Sequence, residues 1–274
     1  MMQQIWCSID TDDIHHHPNI SGHPSRSKDT PWPQNTSLRT MSEQLNEGFN
    51  GFETWWSSQS EDSRITLFVI GEQLEDPSFI QRLQNLIALR PGITIGVHGW
   101  NHICWSAWEP RPDEFKSMIE KSIDLISSKV GSVFRPWFRA PGGYIAPWMA
   151  PILASAGIVM DSSINPVFLL RHKTGRDSSG KINGWDSIRK SMFESGIVER
   201  EWYTRHNLPV NGPALHHPVL RFHSRRTLRK LSCVEYANDE NILSKSNSVV
   251  SIYWHLLDHA RLNGGWAPPL QISN

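Results

Sequence analysis

The sequence predicts an α/β fold in which a parallel sheet is covered by helices. Short β-branched or aromatic runs alternate with amphipathic segments from the start of the chain to about residue 165. Strands that alternate with helices in this way are typical of parallel sheets joined by crossover helices. The 274 residues suffice for one large α/β domain, and no repeat, low-complexity tract or strong linker interrupts them. We therefore expect a single domain over residues 1–274.

The predicted elements follow one another in that alternating order. Strands are expected in the segments QIWCSID, RITLFVIG, ITIGVHGW, SVFRPWFRAPGG and IVMDSSI. Helices are expected over residues 41–56 and in the segments EDPSFIQRLQNLIALRPG, RPDEFKSMIEKSIDLISSKVG and APWMAPILASAG. Asp76 can cap the second of these helices, and Pro77 fits its first turn.

The pattern weakens over residues 166–248, which have scattered Gly, Pro and His and no clean periodicity. There GIVEREWY could be a strand and SRRTLRKLSCVEYA a helix, whereas SVVSIYWHLLD is typical of a late strand. Residues 166–248 could build one wall of a substrate pocket.

Composition and charge narrow the class of protein. Lysine and arginine together number 27, as do aspartate and glutamate, which argues against nucleic-acid binding. No run of about 18 apolar residues and no signal peptide is present, so we expect a cytoplasmic protein without a membrane span. The cysteines at positions 7, 104 and 233 fit neither a disulfide framework nor a zinc knuckle.

Polar side chains mark the ends of several predicted strands. In parallel α/β folds, functional groups gather where strands end. The residues at these places are Asp10, Asp12, His98, His102, Arg139 and His255. We therefore expect them to meet at one edge of the sheet.

Two of these residues suggest a metal site. His98 and His102 are four positions apart, a spacing that would put both imidazoles on one face of a helical turn. A carboxylate from Asp12 or Asp13 would complete a site with two histidines and one carboxylate, which leaves positions open for water and substrate.

The other strand-end residues supply acid–base groups. Asp10, next to the ligand but not itself bound, could take a proton from water, and Arg139 could hold it ionised and oriented. His255 could give a proton to a leaving amine. Together with a metal, these groups describe the hydrolysis of an amide or ester.

Four short motifs carry a family resemblance. SIDTD, HGWNH, RAPGG and IYWH occur in this order and at predicted strand ends. They resemble the polysaccharide deacetylases of the NodB homology type, carbohydrate esterase family 4, and look closest to its cytoplasmic branch. The resemblance covers about Ile5–Asn165 and a short stretch at Ile252–Asp258.

The resemblance implies a deformed (β/α) barrel of about seven parallel strands and one divalent metal ion, zinc being the ion expected. It suggests a general base that an arginine orients and a separate general acid. It also suggests a backbone N–H near Gly142 that stabilises an oxyanion. The implied ligands are Asp12, His98 and His102, with Asp10 as base, His255 as acid and Arg139 as the orienting group.

The sequence departs from the family pattern in three places. The first motif reads Asp-Thr-Asp-Asp rather than Thr-Phe-Asp-Asp-Gly, so Asp13 rivals Asp12 as the ligand. Gly142 replaces the usual tyrosine of the third motif, with Tyr144 two places on. The fourth motif, an aspartate and a tryptophan, has no clear match; the segment GWDS is a poor candidate.

Further residues are candidates for contact with substrate. We expect Gly142, Gly143, Tyr144, Trp100 and Trp254 to line the substrate site, although core packing is an equal alternative for the two tryptophans. The loop histidines at positions 15, 16 and 17 are expected near the cleft mouth, and Asp161 could bind substrate or cap a loop.

The function expected is metal-dependent removal of an acetyl or related acyl group from an N-acylated amino sugar. The substrate would be an intracellular, nucleotide- or lipid-linked precursor of a surface polysaccharide. Two alternatives stay open: hydrolysis of a small cyclic amide or imide, as in allantoinase-like relatives, and a catalytically silent sugar-binding barrel. The sequence leaves the oligomeric state undetermined.

Overall fold

The computed structural model describes residues 4–20, 22–27, 40–231, 235–244 and 249–270. Cys233 and the middle of the segment SRRTLRKLSCVEYA lie outside the described residues.

A curled sheet of parallel strands forms the centre of the molecule. The strands are β1 (Gln4–Asp10), β2 (Ile65–Val69), β3 (Ile93–Val97), β4 (Phe134–Phe138), β5 (Met160–Asp161), β6 (Val198–Glu199), β7 (Thr204–Arg205), β8 (Leu208–Pro209), β9 (Glu235–Tyr236) and β10 (Val249–His255). Seven of them lie side by side in the order β10-β1-β2-β3-β4-β5-β6, and all of these pairs are parallel. The other three strands are peripheral, since β9 adds to β1 and β7 with β8 forms a small hairpin.

One bridge joins the two edges of the sheet. Trp202, just beyond β6, pairs in parallel with Ser251 of β10, and the Tyr203 N–H donates to the Ser251 carbonyl at 2.8 Å. The sheet therefore curls into a half-closed barrel. The predicted deformed (β/α) barrel of about seven parallel strands is confirmed.

Helices cover the outer face of the sheet. They are α1 (Glu43–Ser57), α2 (Pro77–Leu89), α3 (Pro112–Val130), α4 (Met149–Ser155), α5 (Trp185–Glu194), α6 (Arg221–Arg229) and α7 (Asp239–Leu243). Asp76 caps α2 as predicted, because its carboxylate accepts the Ser78 N–H at 2.8 Å. The first four helices lie where the sequence predicts them.

Several later elements differ from the prediction, among them α7 and the β7–β8 hairpin. Helix α5 was not predicted, although its buried residues Trp185, Ile188 and Met192 have helical spacing. The segment predicted as one helix from Ser224 forms only the end of α6, and its later residues form β9, which pairs with β1. Pairing with a long buried strand outweighs the weak helical pattern of this segment.

The strands divide the apolar side chains between two cores. One core lies between sheet and helices, and the other lies inside the barrel, where Trp6, Phe68 and Trp137 meet. Since successive side chains of a strand point to opposite faces, neighbouring residues of one strand contribute to different cores. None of the helices in the described ranges is long and apolar enough to cross a membrane.

Candidate active site

The carboxyl ends of β1 and its neighbours bring the predicted site residues together. Asp10, the last residue of β1, is the register partner of His255 on β10 and of Phe68 on β2. Arg139 directly follows β4 and reaches across the barrel to Asp10. The site therefore lies where the strands end, as is usual for parallel barrels.

Arg139 holds Asp10 in a buried ion pair. Its Nη1 donates to Asp10 Oδ1 at 2.7 Å, its Nη2 to Ser8 Oγ at 2.7 Å, and its Nε to the Ser162 carbonyl at 3.0 Å. The guanidinium is fully buried and lies 4.2 Å from the centre of the Phe68 ring. A fully bonded arginine in this position fixes the orientation of the carboxylate beside it.

Asp12, His98 and His102 form a compact cluster next to this pair. Asp12 Oδ1 lies 3.2 Å from His98 Nε2, and Asp12 Oδ2 lies 3.2 Å from His102 Nε2. One ligand atom from each side chain falls within 4.8 Å of the others, a spacing that could hold a metal ion.

The cluster has the chemistry of a metal site. Asp12 Oδ1, His98 Nε2 and His102 Nε2 are buried and have no hydrogen-bond partner among the described residues. Buried polar atoms without partners are costly, and two imidazoles with one carboxylate are a donor set that suits zinc and leaves open positions. These residues therefore fit a divalent ion.

The charges of the cluster favour an ionised carboxylate. Burial raises the pKa of Asp12, but the adjacent His102 and His98 lower it by more, so that it lies well below its usual range. For His98 the directions are reversed: burial lowers its pKa, but the charges of Asp10 and Asp12 raise it above its ordinary value.

The two histidines are brought together by an irregular loop. His98 follows β3, and its Nδ1 lies 2.8 Å from the Arg139 carbonyl oxygen, so the Nε2 atom faces Asp12. His102 has a φ of 59°, in the left-handed region. The helical turn considered for their four-residue spacing is thus absent, and positive φ angles at Gly99 and His102 shape the loop instead.

Neighbouring backbone secures this loop. The N–H groups of Gly71 and Glu72 donate to the Gly99 and Trp100 carbonyls, both at 2.9 Å. A Cβ atom on Gly71 would lie 2.6 Å from Trp100 Cε3, so only glycine allows this close approach.

Gln73 holds the aspartate loop in a similar way. Thr11 Oγ1 donates to its Oε1 at 2.6 Å, and its Nε2 donates to the Thr11 carbonyl at 2.7 Å. This buried pair lies between Asp10 and Asp12, and it fixes the backbone that presents both carboxylates. Sequence reasoning missed Gln73, because a single buried glutamine leaves no periodic signal.

Asp13 and His16 stabilise the loop after β1 through hydrogen bonds. The Asp13 carboxylate accepts the Ile14 and Ser42 N–H groups and the Ser42 hydroxyl, so it is occupied away from the histidine pair. His16, expected near the cleft mouth, is instead buried: its Nδ1 accepts the Asp13 N–H and its Nε2 donates to Glu72 at 3.0 Å. Of the two rival carboxylates, only Asp12 lies with the histidines.

A second carboxylate supports His255. Asp258 Oδ2 accepts the His255 N–H at 3.1 Å and lies 3.8 Å from its ring Nδ1. Asp258 Oδ1 lies 2.9 Å from His216 Nε2, while His255 Nε2 lies 3.8 Å from Asp12 Oδ2. Burial lowers the pKa of His255, but the bond to Asp258 and the charges of Asp12 and Asp258 raise it to about 9.

Neither His216 nor Asp258 was predicted to act here. The one available signal was the position of Asp258, three residues after His255 in the segment that resembles the family.

The turn after Arg139 presents one unpaired backbone donor. The N–H groups of Gly143 and Tyr144 donate to the Ala140 and Pro141 carbonyls. The Gly142 N–H has no acceptor among the residues that the structure describes. Gly142 has a φ of 57°, which glycine adopts readily.

The two tryptophans proposed for substrate contact face elsewhere. Trp254 is 1% exposed, packs edge-on against Trp55 and donates to His259 Nε2 at 2.9 Å. Because side chains alternate along β10, Trp254 points to the outer core while His255 points to the site. Trp100 is also buried, with Lys121 Nζ 3.4 Å from its ring centre. Both belong to the packing, which corrects the expected stacking on substrate.

Two further candidate site residues, Asp161 and Cys104, have other roles. Asp161 accepts the N–H and the hydroxyl of Ser163, which is the loop-capping alternative. Burial raises the pKa of the Cys104 thiol to about 12, so Cys104 is no thiolate nucleophile.

Residues 58–160 match the family model described as polysaccharide deacetylase. The resemblance to the polysaccharide deacetylases is confirmed. The matched segment contains His98, His102 and Arg139, whereas Asp10, Asp12 and His255 lie outside it. No curated protein shows significant similarity to the chain.

Solved structures share the fold of this chain. A Mycobacterium smegmatis protein assigned to the polysaccharide deacetylases superposes with a TM-score of 0.56 at 12% identity, over 96% of this chain and 81% of that one. A 4-alpha-glucanotransferase from Thermococcus litoralis superposes with a TM-score of 0.50 at 13% identity, over 97% of this chain and 35% of that one. At these identities the likeness is one of fold alone.

Proposed function

We propose that this protein is a metal-dependent deacetylase that removes an acetyl or related acyl group from an N-acylated amino sugar. The observation that carries the proposal is the Asp12, His98 and His102 cluster, whose buried ligand atoms lack partners among the described residues. The family match over residues 58–160 supports the same activity.

Asp12, His98 and His102 would hold the metal, for which zinc fits the donor set. A divalent ion bound there would supply Lewis-acid chemistry, polarising the acyl carbonyl and acidifying the attacking water. The bond from His98 Nδ1 to the Arg139 carbonyl would keep Nε2 available as the ligand atom.

Asp10 would act as the general base. Its carboxylate lies beside the cluster, and the 2.7 Å bond from Arg139 to Oδ1 fixes its orientation. Oδ2 is the oxygen that would receive the proton of the attacking water. Because Arg139 is itself held by Ser8 and Ser162, the base cannot rotate away from the cluster.

His255 would protonate the departing amine. It lies across the site from Arg139, with Nδ1 directed to Asp258 and Nε2 to Asp12. A pKa of about 9 leaves it protonated at neutral pH, as an acid requires. The Gly142 N–H is the backbone donor that would bind the acyl oxygen as its charge develops.

A sugar-sized cleft favours this function over cyclic-amide hydrolysis. A cleft of about 650 Å³ is lined by Tyr144, Trp108 and Trp148. Aromatic walls of this kind suit sugar rings.

Acetate release tests the proposal. Purified wild type, reloaded with zinc, is incubated with a panel of N-acetylated amino sugars, neutral, phosphorylated and carboxylated, alongside Asp10→Asn. Wild type should release acetate from at least one of them, and Asp10→Asn should lower kcat about 10²- to 10⁴-fold while its zinc content is unchanged. The proposal fails if no member of the panel is deacetylated, or if Asp10→Asn is as active as wild type.

A further inference from the structure

A group of basic side chains surrounds the Tyr144 ring. Lys173 Nζ lies 5.2 Å from the ring centre, and the rings of His23 and His172 lie 5.1 and 6.3 Å from it. The Arg26 guanidinium is close enough to the Tyr144 hydroxyl to lower its pKa, against burial, which raises it. We call these four residues, Arg26, His23, His172 and Lys173, the cationic cluster.

The cluster has no carboxylate partner among the described residues. Lys173 Nζ makes one hydrogen bond, to the Gly142 carbonyl at 2.7 Å. Among the described residues, the His23 ring bonds only to Ser25, and the His172 ring bonds to the Leu169 carbonyl. No described aspartate or glutamate forms an ion pair with any member of the cluster, although ion pairs are frequent elsewhere on the chain.

An unpaired cluster of this kind is unfavourable in a protein without a ligand. Burial lowers the pKa of Lys173 to about 8, the nearby Cys104 opposes this shift, and the charge of Arg26 adds to it. The pKa of His23 is lowered by burial and by the charges of Arg26, His172 and Lys173. Arg26 and His172 are exposed, but the partly buried Lys173 ammonium has no counter-charge among the described residues, a cost in free energy that a bound anion would recover.

The cluster adjoins the proposed active site. Lys173 bonds to the carbonyl of Gly142, the residue whose N–H faces the acyl oxygen in the proposed reaction. His23 follows Gly22, whose carbonyl accepts the Cys104 N–H two residues after His102. A group bound at the cluster would thus belong to the same molecule as the acyl group that is cleaved.

Part of the cluster also lines the cleft of about 650 Å³ described above. His23, Tyr144 and His172 line one end of it. Glu109, Arg176 and Asp177 also line the cleft. The Arg176 guanidinium donates to the Gly180 carbonyl, and the Asp177 carboxylate accepts from Ser179 and from the Lys181 N–H. Since Lys173 adjoins Tyr144 and pairs with no described carboxylate, the Tyr144 side of the cleft suits an anion.

We propose that the cationic cluster binds an anionic substituent of the substrate, a phosphate or a carboxylate, so that the preferred substrate is an acidic N-acyl amino sugar. The inference rests on the proposed deacetylase function and adds the class of sugar to it. Arg26 supplies a permanent positive charge, Lys173 supplies a second basic group, and the Tyr144 hydroxyl supplies a neutral donor.

The kinetic test compares three substrates of different charge. The value of kcat/KM for acetate release is measured with N-acetylglucosamine, its 1-phosphate and N-acetylmuramic acid. Wild type should prefer an acidic sugar, and the preferred one identifies the anion as phosphate or carboxylate. Arg26→Gln and Lys173→Gln should each reduce the acidic-to-neutral ratio about 10-fold or more, because a charge-assisted hydrogen bond is lost.

A matched control removes a distant charge. Lys190 lies on α5, is exposed and pairs with Glu194, so Lys190→Gln changes net charge equally and should leave the ratio unchanged. Equal kcat/KM for acidic and neutral sugars, unaffected by Arg26→Gln and Lys173→Gln, would overturn the anion site while leaving the deacetylase function intact.

A binding measurement separates this inference from the function on which it rests. The affinity for N-acetylglucosamine 1-phosphate and for N-acetylmuramic acid is measured by calorimetry in Asp12→Ala, which lacks a metal ligand, and in the same variant with Arg26→Gln. Binding of either acidic sugar that is weakened about 10-fold by Arg26→Gln supports the anion site even if no sugar is deacetylated. If neither acidic sugar binds more tightly than N-acetylglucosamine, the anion site is wrong.

Discussion

At the scale of single residues, the buried pair of Asp10 and Arg139 joins stability to the proposed chemistry. Arg139 is fully buried, and its charge is balanced by Asp10 alone among the ion pairs of the described chain. Removing one partner of such a pair leaves the other as an uncompensated buried charge. The residue that orients the proposed base is therefore also one on which the fold depends.

We expect Arg139→Met to lower the free energy of unfolding by about 3–5 kcal/mol. Arg189, which pairs with Asp186 and Glu201 at the surface, provides the comparison, and Arg189→Met should cost less than about 1 kcal/mol. Urea denaturation of the two variants and of wild type measures both values. Equal losses in the two variants would contradict the assigned role of the buried pair.

Asp258 has a narrower effect, because it acts through His255. Asp258→Asn keeps the size of the side chain but weakens the hold on the His255 ring and backbone. We expect kcat to fall about 10- to 100-fold, with KM and metal content unchanged, since Asp258 contacts neither the proposed ligands nor the substrate cleft. Steady-state kinetics with elemental analysis distinguish this outcome from a general loss of structure, in which KM and metal content would also change.

At the scale of secondary-structure elements, sequence reasoning located the strand ends but not the loops between them. Strands β1, β3, β4 and β10 carry strong apolar patterns, so the polar residues that end them stood out. The loop from His98 to His102 depends on left-handed backbone angles and on bonds to Gly71 and Glu72, which leave no periodic trace. For the same reason Trp100 and Trp254 could not be assigned to a face until the strands were paired.

Gly71 tests whether this loop positions the proposed ligands. In Gly71→Ala the new Cβ would overlap the Trp100 ring, which lies two residues from His98 and His102 alike. We expect zinc affinity to fall about 10- to 100-fold. Gly157→Ala, at a positive φ with open space around it, should cost about 1–2 kcal/mol of stability without changing zinc affinity. Unchanged zinc binding in Gly71→Ala would mean that the loop tolerates displacement.

Strands β5 and β6 bring together two carboxyl groups. Asp161 and Glu199 are register partners, and the oxygens of Glu199 are buried. Burial and the charge of Asp161 raise the pKa of Glu199 well above its ordinary value. Because the folded-state pKa is the higher one, the contribution of Glu199 to stability is complete below its unfolded pKa. That contribution is lost as the pH rises through the folded value.

Glu199→Gln should therefore be more stable than wild type in alkaline solution. The substitution removes the ionisation, so the difference in melting temperature should grow from about pH 5 upward and be smallest in acid. Melting curves from pH 4 to pH 9 test this expectation. A difference that does not change with pH would show that Glu199 titrates normally.

At the scale of the whole molecule, a half-closed barrel collects polar groups from distant parts of the chain. Asp12, His98 and His255 come from three different strand ends, and the sheet order places these ends together. The barrel interior below them is filled by aromatic rings around Arg139. We propose that residues 1–274 act as one domain, since the first and last long strands, β1 and β10, are paired along their full length.

The order of motifs predicted this arrangement because parallel strands all end at the same edge. Less of the structure of residues 166–248 could be predicted. The described strands there are two residues long, and their pairing with the rest of the sheet cannot be inferred from local pattern. The same stretch supplies His216, His172 and Lys173, which contribute to the proposed acid and to the proposed anion site. Their roles became visible only in three dimensions.

The metal content of untagged protein tests the central claim most directly. Wild type, His98→Ala, Asp12→Ala and, as a control, His217→Ala are reloaded with zinc, dialysed and measured by elemental mass spectrometry. The account predicts about one divalent ion per chain in wild type and in His217→Ala, and its loss in the other two variants. Wild type that binds no metal after reloading, or ligand variants that retain it, would contradict the proposed active site.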